Sequence, residues 1–90
     1  MPDTKVHVID DDEAMRDSLR FLLETSDLQV ETYESATSFL AAAADGVAGC
    51  IVTDVRMPGM TGMELVRALQ TQGNAPPIIM ITGTASVALA

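Results

Sequence analysis

The residues best equipped for chemistry in this chain are acids placed where apolar runs end. Val6-His7-Val8-Ile9 runs into Asp10, Asp11 and Asp12, and Cys50-Ile51-Val52-Thr53 runs into Asp54. A parallel α/β sheet would deliver both sets of acids to one edge. Like charges held that close repel, and burial adds to the cost. A divalent cation relieves both, and hard oxygen ligands suit Mg²⁺. The pattern therefore predicts an acidic cation site with one carboxylate left to react. Asp12 has a plainer use as the first residue of a helix, where an acid meets the positive end of the dipole.

The elements that would position these acids follow from periodicity. Residues 5–10 read as a short β-branched strand, and residues 12–25 as a helix with Met15, Leu19, Leu22 and Leu23 on one face. Residues 29–33 alternate as a half-buried strand. Ser35 is a helix N-cap, with Phe39 and Leu40 facing the core and Asp45-Gly46 closing the helix by about Ala44. Residues 50–54 form a strand apolar enough to be covered on both faces. Residues 58–62 have turn chemistry. A helix then runs to about Gln72, with Gly73-Asn74 as its stop. Pro76-Pro77 leads into a strand over 78–82, residues 83–86 form a loop, and residues 87–90 read as the first turn of a further helix.

This alternation predicts an α/β fold, a doubly wound parallel sheet with right-handed crossovers and helices on both faces. Ligands in such sheets bind beyond the carboxyl ends of the strands, where Asp10, Asp11, Asp54 and Thr82 would all lie.

Composition narrows the function classes. Ninety residues allow one small domain, and a hydrophobic share of 48% is ample for its core. The net charge of −8, with Lys5, Arg16, Arg20, Arg56 and Arg67 dispersed, leaves no basic footprint for nucleic acid or an anionic membrane. No apolar run reaches the roughly 20 residues of a membrane span, and the N-terminus lacks signal-peptide regions, so a cytoplasmic location is expected. Cys50 has no partner for an internal disulfide and reads as a small buried hydrophobe. His7 reads as a packing residue, since no His/Cys ligand spacing accompanies it. Met57, Met60 and Met63 read as packing, and Arg56 as a solvated loop cation.

Three segments carry a family resemblance. Ile9-Asp10-Asp11-Asp12, the stretch from Thr53-Asp54 through Met57-Pro58-Gly59-Met60-Thr61-Gly62-Met63-Glu64, and Ile79-Met80-Ile81-Thr82-Gly83 resemble the signatures of response-regulator receiver domains. The wording is closest to the FixJ-type transcriptional regulators with a helix-turn-helix output. The resemblance implies a flavodoxin-like sheet of order 2-1-3-4-5 in the complete domain. It implies a phosphoacceptor signalling domain rather than an enzyme, with Asp54 receiving a phosphoryl group from a sensor histidine kinase. Asp10, Asp11, Asp54 and the Arg56 backbone carbonyl would hold Mg²⁺, and Thr82 would be the switch hydroxyl.

The same resemblance implies that the domain normally continues with a fourth helix, a fifth strand carrying a Lys and a last helix. Residues 1–90 are thus expected to be the N-terminal, incomplete portion of a receiver domain, without its DNA-binding output domain, and with no Lys after Lys5. The fourth strand would then be an open apolar edge, and a homodimer or domain-swapped assembly is expected. The alternative function is an interaction or dimerisation module that keeps the fold without the phosphorylation. A phosphohydrolase of the haloacid-dehalogenase type fits less well. It needs Asp-x-Asp after the first strand, whereas Asp10, Asp11 and Asp12 are contiguous and the candidate nucleophile is on the third strand.

Overall fold

The computed structural model describes residues 5–42, 49–57, 59–73, 76–81 and 86–89, the last four as backbone. Four strands, β1 (Lys5–Ile9), β2 (Gln29–Tyr33), β3 (Cys50–Asp54) and β4 (Ile78–Ile81), pair in parallel in the order 2-1-3-4. Three helices connect them: α1 (Glu13–Glu24), α2 (Ala36–Ala42) and α3 (Gly62–Thr71). This is the doubly wound parallel sheet that the alternation predicts, in the flavodoxin-like order that the resemblance implies.

Strand period divides the core into two. Val6, Val8 and Val52 face α1 and pack with its Leu19 and Leu23 and with Leu28, Val30, Cys50 and Ile81. Ile9, Ile51, Ile78 and Met80 face the other way, against Phe39 of α2 and Leu65, Val66 and Leu69 of α3. β1 and β3 are therefore covered on both sides, which is why their sequences are nearly continuously apolar. The register pairs Ile9 with Thr53. The next residues, Asp10 and Asp54, thus leave neighbouring strands at the same level.

Several local expectations meet their physical reasons here. Asp12 caps α1, its carboxylate accepting from the Ala14 N–H at 3.0 Å. Ser35 caps α2 by accepting from the Ser38 N–H at 3.1 Å. α3 opens with a capping box between Thr61 and Glu64 and ends at Thr71, with Gln72 as its C-cap and Gly73 at a φ of +74°. Gly49 is required where it stands. Its φ is +96°, and a Cβ there would run into the Lys5 carbonyl. The Asp45-Gly46 stop of α2 and Asn74 lie outside the described residues.

Other expectations are corrected. Residues 87–89 do not start a helix, and Ser86 is not loop, while residues 83–85 and Ala90 lie outside the described residues. Ser86–Leu89 form a fifth strand, β5, antiparallel to β4, with Ile81 opposite Ser86 and Ile78 opposite Leu89. The reason is the unfilled edge of β4, whose free N–H and C=O groups can be satisfied by a strand but not by a helical turn. The edge expected to be open to another chain is therefore taken by this one. The parallel fifth strand of the complete order is not found among the described residues, and no helix follows α3 among them. α1 buries a narrower stripe than expected. Leu19 and Leu23 pack on the sheet, whereas Met15 and Leu22 are largely exposed, as is Phe21. Cys50 is only partly buried, and Met63 is exposed while Met57 is in the core.

His7 is indeed a packing residue. It is buried and sits in an aromatic trio with Tyr33 and Phe39. Its Nδ1 lies 3.1 Å from the Tyr33 hydroxyl. Burial, and then the Glu31 carboxylate, push the Tyr33 phenol up, so it stays protonated and can donate.

Candidate metal centre

Asp10, Asp11 and Asp54 converge at the carboxyl end of the sheet, each with an oxygen within 4.8 Å of the others. Asp10 is buried at 5% exposure, Asp11 is exposed, and Asp54 lies between these extremes. That gradient makes a pocket with a fixed floor and an open mouth.

Two of the acids are held by the same local device. The Asp10 Oδ1 accepts from the Asp12 N–H at 2.9 Å, and the Asp54 Oδ1 accepts from the Arg56 N–H at 3.3 Å. Each is a carboxylate bonded to the backbone two residues on, which restricts its rotamer and leaves its second oxygen available. The Asp10 main chain is held as well. Its N–H donates to the Tyr33 carbonyl at 3.1 Å, and the Arg16 Nη1 donates to its carbonyl at 2.7 Å.

The electrostatics fit a missing positive charge. Burial pushes the Asp10 carboxyl above its ordinary value, opposed by the Asp12 N–H, and the charges of Asp54, Asp11 and Asp12 push it further up. A cluster of carboxylate oxygens, one of them buried and pushed toward its protonated form, is the donor set of a hard divalent cation. Asp10, Asp11 and Asp54 therefore fit Mg²⁺. Asp12 caps α1 and is not among the acids that converge here.

Gly62 sets how closely α3 approaches the site. Its N–H donates to the Val55 carbonyl at 3.0 Å, and a Cβ would stand 2.6 Å from the Asp54 carbonyl oxygen. Gly62→Ala is thus expected to push the start of α3 away from the Asp54 turn at a cost of about 1–3 kcal/mol. Urea unfolding measures it, and an unchanged midpoint would contradict the contact.

Thr82 and Pro58 lie outside the described residues, so the structure brings together Asp10, Asp11 and Asp54 of the expected site, with Arg56 beside them through its backbone N–H. Arg56 itself is exposed. Sequence reasoning missed Arg16. The signal was available, because long helical side chains point back toward the N-terminus and Arg16 is one turn from the Asp12 cap.

A family model described as "Response regulator receiver domain" matches residues 6–90. The transcriptional regulatory protein FixJ of Azorhizobium caulinodans is 52% identical over 91 residues, covering 100% of this chain and 43% of that protein. The C4-dicarboxylate transport transcriptional regulatory protein DctR of Rhodobacter capsulatus is 42% identical over 87 residues, covering 94% of this chain and 44% of that protein. Among solved structures, FixJ-N superposes with a TM-score of 0.83 at 45% identity, covering 91% of this chain and 66% of that one. The response regulator StyR superposes with a TM-score of 0.85 at 38% identity, covering 98% of this chain and 44% of that one. The chain spans less than half the length of the curated relatives it matches. With strand-end acids converging on one pocket, a 2-1-3-4 parallel sheet and a family match over nearly its whole length, the chain belongs to the response regulator receiver domain family.

Proposed function

We propose that this chain is a phosphoacceptor in two-component signalling. Asp54 takes a phosphoryl group from a sensor histidine kinase, and the change drives a transcriptional output carried elsewhere. The observation that carries this reading is the convergence of Asp10, Asp11 and Asp54 within 4.8 Å, with Asp54 neither buried like Asp10 nor fully open like Asp11.

In the transfer, an Asp54 carboxylate oxygen forms a bond to phosphorus as the donor's bond to phosphorus breaks, and the donor leaves with that electron pair. The reacting form of Asp54 is the carboxylate, which carries no proton for a general base to remove, so the step depends on positioning and charge. Asp10, Asp11, Asp54 and the Arg56 carbonyl would hold Mg²⁺, which supplies charge cancellation between the nucleophile and an anionic phosphoryl group. The Asp54 turn, fixed by the Arg56 N–H and by the close approach of Gly62, keeps the nucleophile aimed. Phosphorylation adds roughly −1.5 to −2 of charge with strong acceptor oxygens. Thr82, one residue beyond β4, is the hydroxyl that would answer it.

A protein phosphodonor must also cover the surface beside the pocket. Phe21, Leu22 and Met15 are 71%, 63% and 42% exposed on α1, the helix that starts at the Asp12 cap. Exposed large apolar side chains on one helix suit a protein partner. No helix among the described residues is long and apolar enough to cross a membrane, and the chain carries a net charge of −8, so we place its work in the cytoplasm and away from direct DNA contact.

The second reading is an interaction module that keeps the fold without phosphorylation. The exposed α1 side chains and Ile79, exposed on the α1 face of the sheet, favour it. A homodimer or domain-swapped assembly remains part of that reading through these side chains, its β4-edge route being occupied by β5.

One experiment separates the two. The chain is incubated with acetyl phosphate and Mg²⁺, and intact mass is followed. The phosphoacceptor reading expects an acid-stable, base-labile phosphoryl adduct that EDTA prevents and Asp54→Asn abolishes. No adduct with any small phosphodonor would favour the interaction module.

A further inference from the structure

The β1 ladder ends at Ile9, so Asp10 must find partners for its main chain outside the regular sheet. Its N–H finds the Tyr33 carbonyl of β2 at 3.1 Å. Its carbonyl is held from the other side by Arg16 of α1, whose Nη1 donates at 2.7 Å. That is the short end of the range for a charged donor, where bonds are strongest. The carboxylate is in turn tied at Oδ1 to the Asp12 N–H. The buried acid of the pocket is thus clamped at three points, and only the Arg16 clamp is made by a side chain of another element.

The choice of partner is informative. Three carboxylates stand within the same pocket, yet the Arg16 Nη1 donates to a neutral carbonyl. The ion pairs among the described residues, Lys5 with Glu31 and Arg20 with Glu24, do not include Arg16. A guanidinium used as a counter-charge would be expected on a carboxylate, in the two-pronged geometry that group allows. Here it fixes backbone.

We propose that Arg16 is a positioning residue for the cation site, clamping the Asp10 main chain so that the Asp10 carboxylate is preset to share a divalent cation with Asp11 and Asp54. The assignment rests on the Mg²⁺ reading of the pocket. It predicts a sign that a plain electrostatic role reverses. Removing a nearby positive charge should by itself tighten cation binding. Removing a clamp should weaken it, because groups that orient metal ligands typically contribute about 10–100-fold to affinity.

The test is Mn²⁺ binding to the 90-residue chain, read by loss of the free-ion electron paramagnetic resonance signal, with Mg²⁺ calorimetry beside it. Arg16→Met is expected to weaken binding about tenfold or more. Arg16→Lys, which keeps a donor of nearly the right reach, should fall between Arg16→Met and the unaltered chain. Arg20→Met removes the same charge from the same helix, at a residue engaged with Glu24, and should bind as the unaltered chain does. Urea unfolding in EDTA shows whether each variant is folded, and Arg16→Lys carries the comparison if Arg16→Met is not. Binding by folded Arg16→Met or Arg16→Lys as tight as the unaltered chain, or tighter, overturns the assignment alone. An unaltered chain that binds no Mn²⁺ overturns the cation-site reading and the assignment with it.

Discussion

Asp10→Asn is expected to make the metal-free chain more stable at neutral pH and to remove its response to Mg²⁺. Asp10 is buried, and the charges of Asp54, Asp11 and Asp12 surround it. Its folded-state proton affinity is therefore above the ordinary carboxylate value of 3.8. A group of this kind favours the folded state below its ordinary value, and that contribution is lost as pH rises through the raised one. Above 3.8 the raised proton affinity costs the unaltered chain stability, whereas asparagine has no carboxylate to titrate. Asparagine also keeps an oxygen for the Asp12 N–H, so the turn survives. The advantage of the variant should shrink as pH falls toward 3.8. Mg²⁺ reverses the order. A cation at a hundredfold excess over its dissociation constant stabilises the folded chain by about 2.7 kcal/mol. In a domain of this size that is roughly 10 °C or more in Tm. The unaltered chain should gain this shift and Asp10→Asn should not. Thermal unfolding with EDTA and with Mg²⁺ measures both. A variant less stable in EDTA, or one that still responds to Mg²⁺, would contradict the account.

Phe39→Ala should be the most damaging core substitution tied to the site. Phe39 is fully buried and meets the rings of Tyr33 at 5.1 Å and His7 at 5.4 Å, both edge-on. Such contacts add about 0.5–1.5 kcal/mol to plain burial, and deletion of a buried Phe costs about 3–5 kcal/mol in all. A small domain has about 5–15 kcal/mol to lose. The trio also braces the end of β2, where the Tyr33 carbonyl receives the Asp10 N–H. Phe39→Ala is therefore expected to lower the urea midpoint sharply and to weaken Mg²⁺ binding in whatever fraction remains folded. Phe39→Leu, which refills most of the volume, should recover much of both. A loss under about 1 kcal/mol on Phe39→Ala would place the trio outside the supporting core.

Much of this could be read from residue order because the relevant physics is local. Apolar β-branched runs ending in acids reveal both the strands and the edge where the acids meet. Asp12 and Ser35 announce helix starts because their short polar side chains satisfy orphan N–H groups. What escaped was decided by partners distant in sequence. Residues 86–89 have too little pattern to choose between helix and strand, and the vacant side of β4 chose for them. Met15 and Leu22 fit the apolar period of α1, yet the sheet reaches only as far as Leu19 and Leu23. The link between His7, Tyr33 and Phe39 needed the register of β1 on β2 and the placement of α2 beneath both. Arg16 looked like one dispersed cation among five until the end of β1 was placed under it.

The central claim is that Asp54, and neither of the acids beside it, receives the phosphoryl group. Borohydride reduces an acyl phosphate on aspartate to homoserine, which marks the site permanently for peptide mapping. After treatment with acetyl phosphate and Mg²⁺, the account predicts homoserine at position 54, absent when EDTA replaces Mg²⁺. Homoserine at position 10 or 11 instead, or the same yield at 54 without the cation, would contradict it.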